Sequence, residues 1–184
     1  MNNWPKLGIS ALLVSVMVAA ACAIIYQLLI GSTASLFLGS SVEQFSITIG
    51  LFLFFMGVGS WFSKFVDRNL LLRFIQVEIG LSIIGGSSVG ILYVLYSSTE
   101  QFRYGMILLI ASIGILIGLE IPLLTRFLRL QSTLKSTLAN VLSMDYCGAL
   151  VAALVFPFLM LPFLGSMKSS LLTGLINWIV SGGV

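Results

Sequence analysis

The chain contains no histidine. That excludes catalysis by an imidazole and any histidine-containing metal site. Charge is almost as scarce: nine Lys or Arg and six Asp or Glu make up 8% of 184 residues, where a soluble domain runs near one quarter. So few charges cannot cover a globular surface with solvated groups. The two cysteines, Cys22 and Cys147, lie inside apolar runs, outside any C-x-x-C pattern, and read as small buried hydrophobes. No N-x-[ST] acceptor and no low-complexity linker interrupts the sequence, so it reads as one domain. No Gly-rich phosphate loop follows a strand, because Gly85-Gly86-Ser87-Ser88 sits within an apolar run. No Ser, Cys or Lys nucleophile has a base beside it other than three acids considered below. No catalytic residue, metal or cofactor is therefore assigned, and the chain alone does not read as an enzyme. The formal charge of +3 is no nucleic-acid signature.

What is abundant is apolar length. Hydrophobic residues make up 59% of the chain, and the mean hydropathy is +1.13. A helix crosses ~30 Å of hydrocarbon with roughly 20 apolar residues. Six candidates meet that length: 7–30, 45–62, 74–96, 104–124, 138–164 and 169–184. The expected architecture is an all-α, polytopic membrane helix bundle spanning residues 1–184. The length leaves no room for a membrane bundle plus a full soluble catalytic domain. A signal peptide ending near Ala20-Ala21-Cys22 is the competing reading of the start. The charge-free run continues to Val42, well past a signal core.

The connections alternate in charge. Lys6, Lys64, Arg68, Arg73, Arg126, Arg129 and Lys135 group on one side, and Arg103 and Lys168 on the other. The positive-inside rule then places both termini in the cytoplasm, with the chain integral to the inner (cytoplasmic) membrane as the expected location. Trp4, Trp61 and Trp178, with Tyr26, Tyr96 and Tyr104, fall near span ends as an aromatic belt. Gly86 and Gly90 are four residues apart, as are Gly114 and Gly118, and Gly57 and Gly59 flank a turn of the second span. Small residues at such spacing let helix backbones approach, so these six are expected at helix seams. Pro157 and Pro162 are expected to kink or break the fifth span, and Pro122 the inner end of the fourth.

Three acids lie inside spans: Glu78, Glu120 and Asp145. Counting from the nearest basic residue, they sit ~7.5, ~9 and at most ~15 Å deep. Intramembrane carboxylates cost several kcal/mol unless paired, wet or protonated, so they face the protein interior. Two readings stay open. They pair with Arg68, Arg73, Arg126 or Lys135 at the inner interface, or they converge into a site for a cation, a proton or a polyamine. Tyr26, Gln27, Gln44 and Tyr146 are secondary polar candidates.

Three stretches carry a family resemblance. They are Gln44-Phe45-Ser46 with Gly50-Leu51-Phe52-Leu53-Phe54 and Met56-Gly57-Val58-Gly59-Ser60; Gly118-Leu119-Glu120-Ile121-Pro122-Leu123-Leu124; and Met144-Asp145-Tyr146, Gly148-Ala149-Leu150, Phe156-Pro157 and Leu161-Pro162 to Gly165. Together they resemble the N-terminal membrane domain of bacterial spermidine synthase-like proteins, the membrane-fused polyamine aminopropyltransferases. The resemblance covers about Ala23 to Asn177. It implies membrane helices followed by a cytoplasmic α/β domain, which takes decarboxylated S-adenosylmethionine and a diamine and whose nucleotide loop has no counterpart here. It also implies that Glu78, Glu120 and Asp145 match the family pattern. The acid that the family usually carries after the first-helix tyrosine is replaced by Gln27. The loop from Gly59 through Asp67-Arg68 to Arg73 is similar to one in major facilitator transporters, and six helices equal half of such a transporter. The expected roles are membrane anchoring, or polyamine or cation handling for a partner. The alternatives are an accessory subunit of a larger membrane complex and a half-transporter for a small cation. Expected partners are the bilayer, a polyamine, and a protein partner or second copy, with no nucleic acid.

Overall fold

A computed structural model of the chain describes residues 6–67, 69–98, 102–129 and 134–183. Trp4, Arg68, Glu100 and Val184, and the side chains of Lys6 and Lys135, lie outside the described residues. The structure is all-helical: α1 Lys6–Leu38, α2 Ser41–Phe62, α3 Leu70–Ser98, α4 Phe102–Leu128, α5 Leu134–Val155 and α6 Leu161–Gly183. A single 3-10 turn, Ser63–Phe65, follows α2, and a π-helical turn, Phe156–Met160, joins α5 to α6. Five stretches are long and apolar enough to cross a membrane: Ala11–Leu38, Ser41–Phe65, Leu70–Ser97, Phe102–Leu128 and Thr137–Gly182. In hydrocarbon a helix satisfies every backbone N–H and C=O within itself, which is why apolar runs of this kind take that form.

The first helix is longer than its apolar run predicts, reaching Leu38 rather than Ile30. Gly31, Ser32 and Thr33 look like an end but are carried inside the helix. Ser32 donates its hydroxyl to the Leu29 carbonyl at 3.0 Å, and Gly31 lies beneath the Phe45 ring of α2. The helix stops at Gly39, whose φ of 72° closes a tight two-residue turn with Ser40 into α2.

The last apolar stretch is 46 residues long, about 69 Å if straight. It is not straight. Gly165 breaks α6 with φ 72° and ψ 173°, a region open to glycine and almost nothing else. Beyond it the chain folds back: the Ser169 hydroxyl donates to the Met160 carbonyl at 3.2 Å. Both arms then lie along α1. Gly148 meets the Met17 backbone, and the Cys22 thiol donates to the Thr173 carbonyl at 3.8 Å. In one straight helix those two contact points would be ~37 Å apart. Pro157 sits inside the π-helical turn, where its missing N–H is accommodated. The reversal at Gly165 falls in the gap expected between positions 164 and 169, while Pro162 stays within helical geometry, because a proline permits helical φ and this turn needs positive φ. We expect Gly165→Ala to lower stability by about 1–3 kcal/mol through strain at this bend, measured as the shift of a thermal unfolding curve in detergent.

Pro122 does not break α4, which continues to Leu128. The ring removes only the bond to the Gly118 carbonyl, and the helix bridges that gap.

Close backbone approaches hold the bundle together. On the α2–α4 seam a Cβ at Gly59 would strike the Ile115 carbonyl, and one at Gly118 would strike the Met56 carbonyl. Gly114 lies on the same seam, where an added Cβ would come within 2.9 Å of the Phe55 Cβ. On the α3–α6 seam a Cβ at Gly86 would come within 3.1 Å of the Gly174 Cα, and the Ser170 hydroxyl donates to the carbonyls of Gly85 and Gly86 at 3.0 and 2.8 Å. Gly90 makes only ordinary contact with the end of Met167. Gly57 is a correction. It faces open space, because the buried stripe of α2 is Gln44, Thr48, Phe52 and Gly59.

The bundle has two distinct ends. At one, the Arg126 guanidinium of α4 donates to Asp67 at 2.8 Å and to the Ser63 carbonyl at 2.9 Å, joining α4 to the α2–α3 connection. Leu12, Val16, Phe74, Leu124, Leu128 and Val141 cluster near this end. At the other, Phe37 stacks on Tyr96 at 4.1 Å and meets Tyr93 and Phe102 edge-on.

Candidate functional site

Glu78 on α3, Glu120 on α4 and Asp145 on α5 come from three different helices into one interior region. Glu78 has no exposed surface and Glu120 keeps 3%, while Asp145 is half-buried. Glu120 and Asp145 share the wall of one cavity, and Glu78 lies within electrostatic range of Glu120 from α3. Burial has a helical cause. Val77, Glu78, Leu81 and Ser82 share the inward face of α3, and Ile113, Ile117, Glu120 and Leu124 share that of α4. An acid inserted into either row at that period is carried into the interior.

Neither oxygen of Glu78 has a hydrogen-bond partner, and neither does Oε1 of Glu120. Among the described residues no salt bridge reaches any of the three acids. Of the four basic residues expected as partners, Arg73 donates to Gln76 at 2.9 Å and Arg126 pairs with Asp67, while Arg68 and the Lys135 side chain lie outside the described residues. The pairing reading is thus not what the described arginines do. They stay at the end of the bundle, where water and nearer acceptors satisfy them, while the acids lie deeper. Each buried polar atom left without a partner costs about 1–3 kcal/mol. Among the described residues no group of three His, Cys, Asp or Glu side chains is close enough to hold a metal ion. The acids are neighbours, not a ligand cage.

Glu120 and Asp145 line a cavity of about 70 Å³ together with Gln27, Ala20, Phe52 and Met56. A water needs roughly 10–15 Å³ of such space, so the cavity holds a few waters or one small cationic head. It lies where α5 packs against α1 but scarcely meets α4, which leaves room between the two acid-bearing helices. Tyr26 is fully buried, its ring packed over Gly85 of α3, and its hydroxyl has no partner. Gln44 is buried on the α2 stripe with its Oε1 unpartnered, as is Thr48 one turn on. Tyr146 is a correction: it is 67% exposed and faces away from the site, because its neighbour Asp145 takes the inward position. Asn177 of α6 was not anticipated. Its amide donates to the Glu78 main-chain carbonyl at 3.2 Å and its Oδ1 has no partner. A buried asparagine in an apolar span was the available signal.

Fold and site together define an all-helical bundle, of membrane-crossing length, with an acidic interior that no described basic residue pairs. No family model matches the chain and no solved structure matches it. It is 42% identical over 168 residues to a polyamine aminopropyltransferase of Leptospira interrogans, covering 91% of this chain and 34% of that protein. Polyamine aminopropyltransferase 2 of Ralstonia nicotianae is 40% identical over 177 residues, 95% of this chain and 35% of its own length. Polyamine aminopropyltransferase 1 of Streptomyces coelicolor is 38% identical over 168 residues, covering 90% of this chain and 32% of its own. The chain thus spans about a third of the length of the curated relatives it matches.

Proposed function

We propose that the chain is the membrane-embedded helical unit of a spermidine synthase-like protein. It anchors that protein and holds one ammonium head of a polyamine-class cation at Glu120 and Asp145, with Glu78 and Tyr26 behind them. The observation that carries this reading is the unpaired acidic interior: three carboxyls from three helices, with no cation from the described arginines. A carboxylate pairs well with an ammonium donor in a site of low dielectric. The 70 Å³ cavity suits a single amino head, with the rest of the cation outside it. The names of the relatives supply the polyamine. In this reading the chain crosses the bilayer six times, with the two arms of the last stretch as separate passes and both termini in the cytoplasm.

The test is a double-mutant cycle on spermidine binding to the purified chain in lipid nanodiscs. Glu120→Gln and Asp145→Asn should each weaken binding by roughly tenfold or more. Together they should lose less than the sum of their separate effects, as expected for one shared site. Strictly additive losses, or none, would sink the shared site.

A further inference from the structure

A second pocket opens toward the Arg126 end of the bundle, on a different face of α3 and α4 from the one that carries the acids. An open pocket of about 560 Å³ sits between α3 and α4 beneath the α2–α3 connection. Its floor is apolar: Val77, Leu116, Leu119 and Leu123. Its rim is polar, with Arg73, Gln76 and Asp67. Asp67 is already neutralised by Arg126 at 2.8 Å. Arg73 is exposed and uses one nitrogen on Gln76, so the rest of its fork faces the rim. Beside the pocket Lys64 places its ammonium 3.8 Å from the Trp61 ring centroid and 4.9 Å from that of Phe65. Trp61, Phe62 and Phe65 are all exposed there. Exposed aromatics with a lysine over them mark the depth where hydrocarbon gives way to headgroups.

We propose that this pocket binds an anionic glycerophospholipid, its phosphate on Arg73 and one acyl chain over the leucines of the floor. Charge selects the ligand's sign: Arg73, Arg126 and Lys64 stand against the single acid Asp67. The floor selects a lipid over a free anion, because inorganic phosphate would leave those leucines against water. Arginine suits the role, since its planar fork takes two phosphate oxygens at once. Basic pockets between membrane helices near headgroup depth are a recurrent setting for such lipids.

The test uses the full chain in mild detergent with phosphatidylglycerol or phosphatidylcholine added at equal concentration. Bound lipid is counted by native mass spectrometry. The wild-type chain should retain phosphatidylglycerol in preference to phosphatidylcholine. Arg73→Gln should cut its retention roughly fivefold, the effect of one basic group at a membrane surface. The side chain is exposed, so this replacement leaves the packed interior intact. Leu119→Trp, which fills the floor, should lower retention of both lipids, and inorganic phosphate should not displace the bound lipid. Equal retention of the two lipids by the wild type would overturn the proposal. So would unchanged retention in Arg73→Gln or Leu119→Trp, and displacement by phosphate would assign the pocket to a soluble anion instead.

Discussion

Gly118→Leu is expected to destroy the packed bundle, whereas Gly57→Leu leaves it unchanged. At Gly118 even a single Cβ would overlap the Met56 carbonyl of α2. That obstacle is backbone, so no side-chain rotation relieves it. The helices must separate along the whole seam, and Gly59 and Gly114 lose their close approach with Gly118. Overpacking typically costs 1–3 kcal/mol, and a backbone clash belongs at or above the top of that range. The measurement is the monodisperse fraction in size-exclusion chromatography, followed by a thermal melt. Gly57 is the internal control. It lies two residues from Gly59 on the same helix and faces open space. Equal damage from the two substitutions would mean that glycine content, not the seam, controls folding.

Glu78→Leu is expected to raise stability and to abolish or strongly weaken cation binding. Glu78 is fully buried with neither carboxyl oxygen partnered. Leucine has a similar volume and removes the desolvated group, for a gain of about 1–3 kcal/mol. A side chain kept at that cost is kept for what it binds, the familiar opposition of stability and function. Melting temperature and spermidine affinity measured on one preparation decide the matter. A lower melting temperature would make Glu78 a structural keystone and remove the reason for assigning it to a site.

Much of this fold is legible in the sequence, because hydrocarbon imposes one rule on every segment. Apolar runs of sufficient length become helices. Positions 45–62, 74–96 and 104–124 all fall inside the helices found, each of which extends a few residues further. The misjudged end at Ile30 has a physical reason. Gly31, Ser32 and Thr33 lower local hydropathy, but their burial against α2 makes them good helix residues there, which is tertiary information. The bend at Gly165 is better placed. The gap between 164 and 169 brackets the turn, but the prolines suggest a break of the fifth span that the helix absorbs, and the residue that turns the chain is the one able to take positive φ.

The site is less legible than the fold. Spacing from flanking basic residues gave an expected depth for Glu78, Glu120 and Asp145 but not their azimuth. Whether they pair with arginine depends on which way each helix face points. Here Arg73 turns to Gln76 and Arg126 to Asp67, and the acids turn inward. The same lack of azimuth put Gly57 on a seam and Tyr146 near the site. It also hid Gly148 and Gly174, which make backbone approaches as close as the glycines spaced by four. Their partners, Met17 and Gly86, are far away in sequence.

The most direct test of the acidic interior as a cation site is the binding isotherm of labelled spermidine with the wild-type chain in neutral-lipid nanodiscs. The reference is the triple variant Glu78→Gln, Glu120→Gln, Asp145→Asn. The account predicts saturable binding at one cation per chain in the wild type and none above background in the variant. Equal binding by both would place any cation affinity on exposed surface acids, Glu43 and Asp67 among them, and would contradict the account.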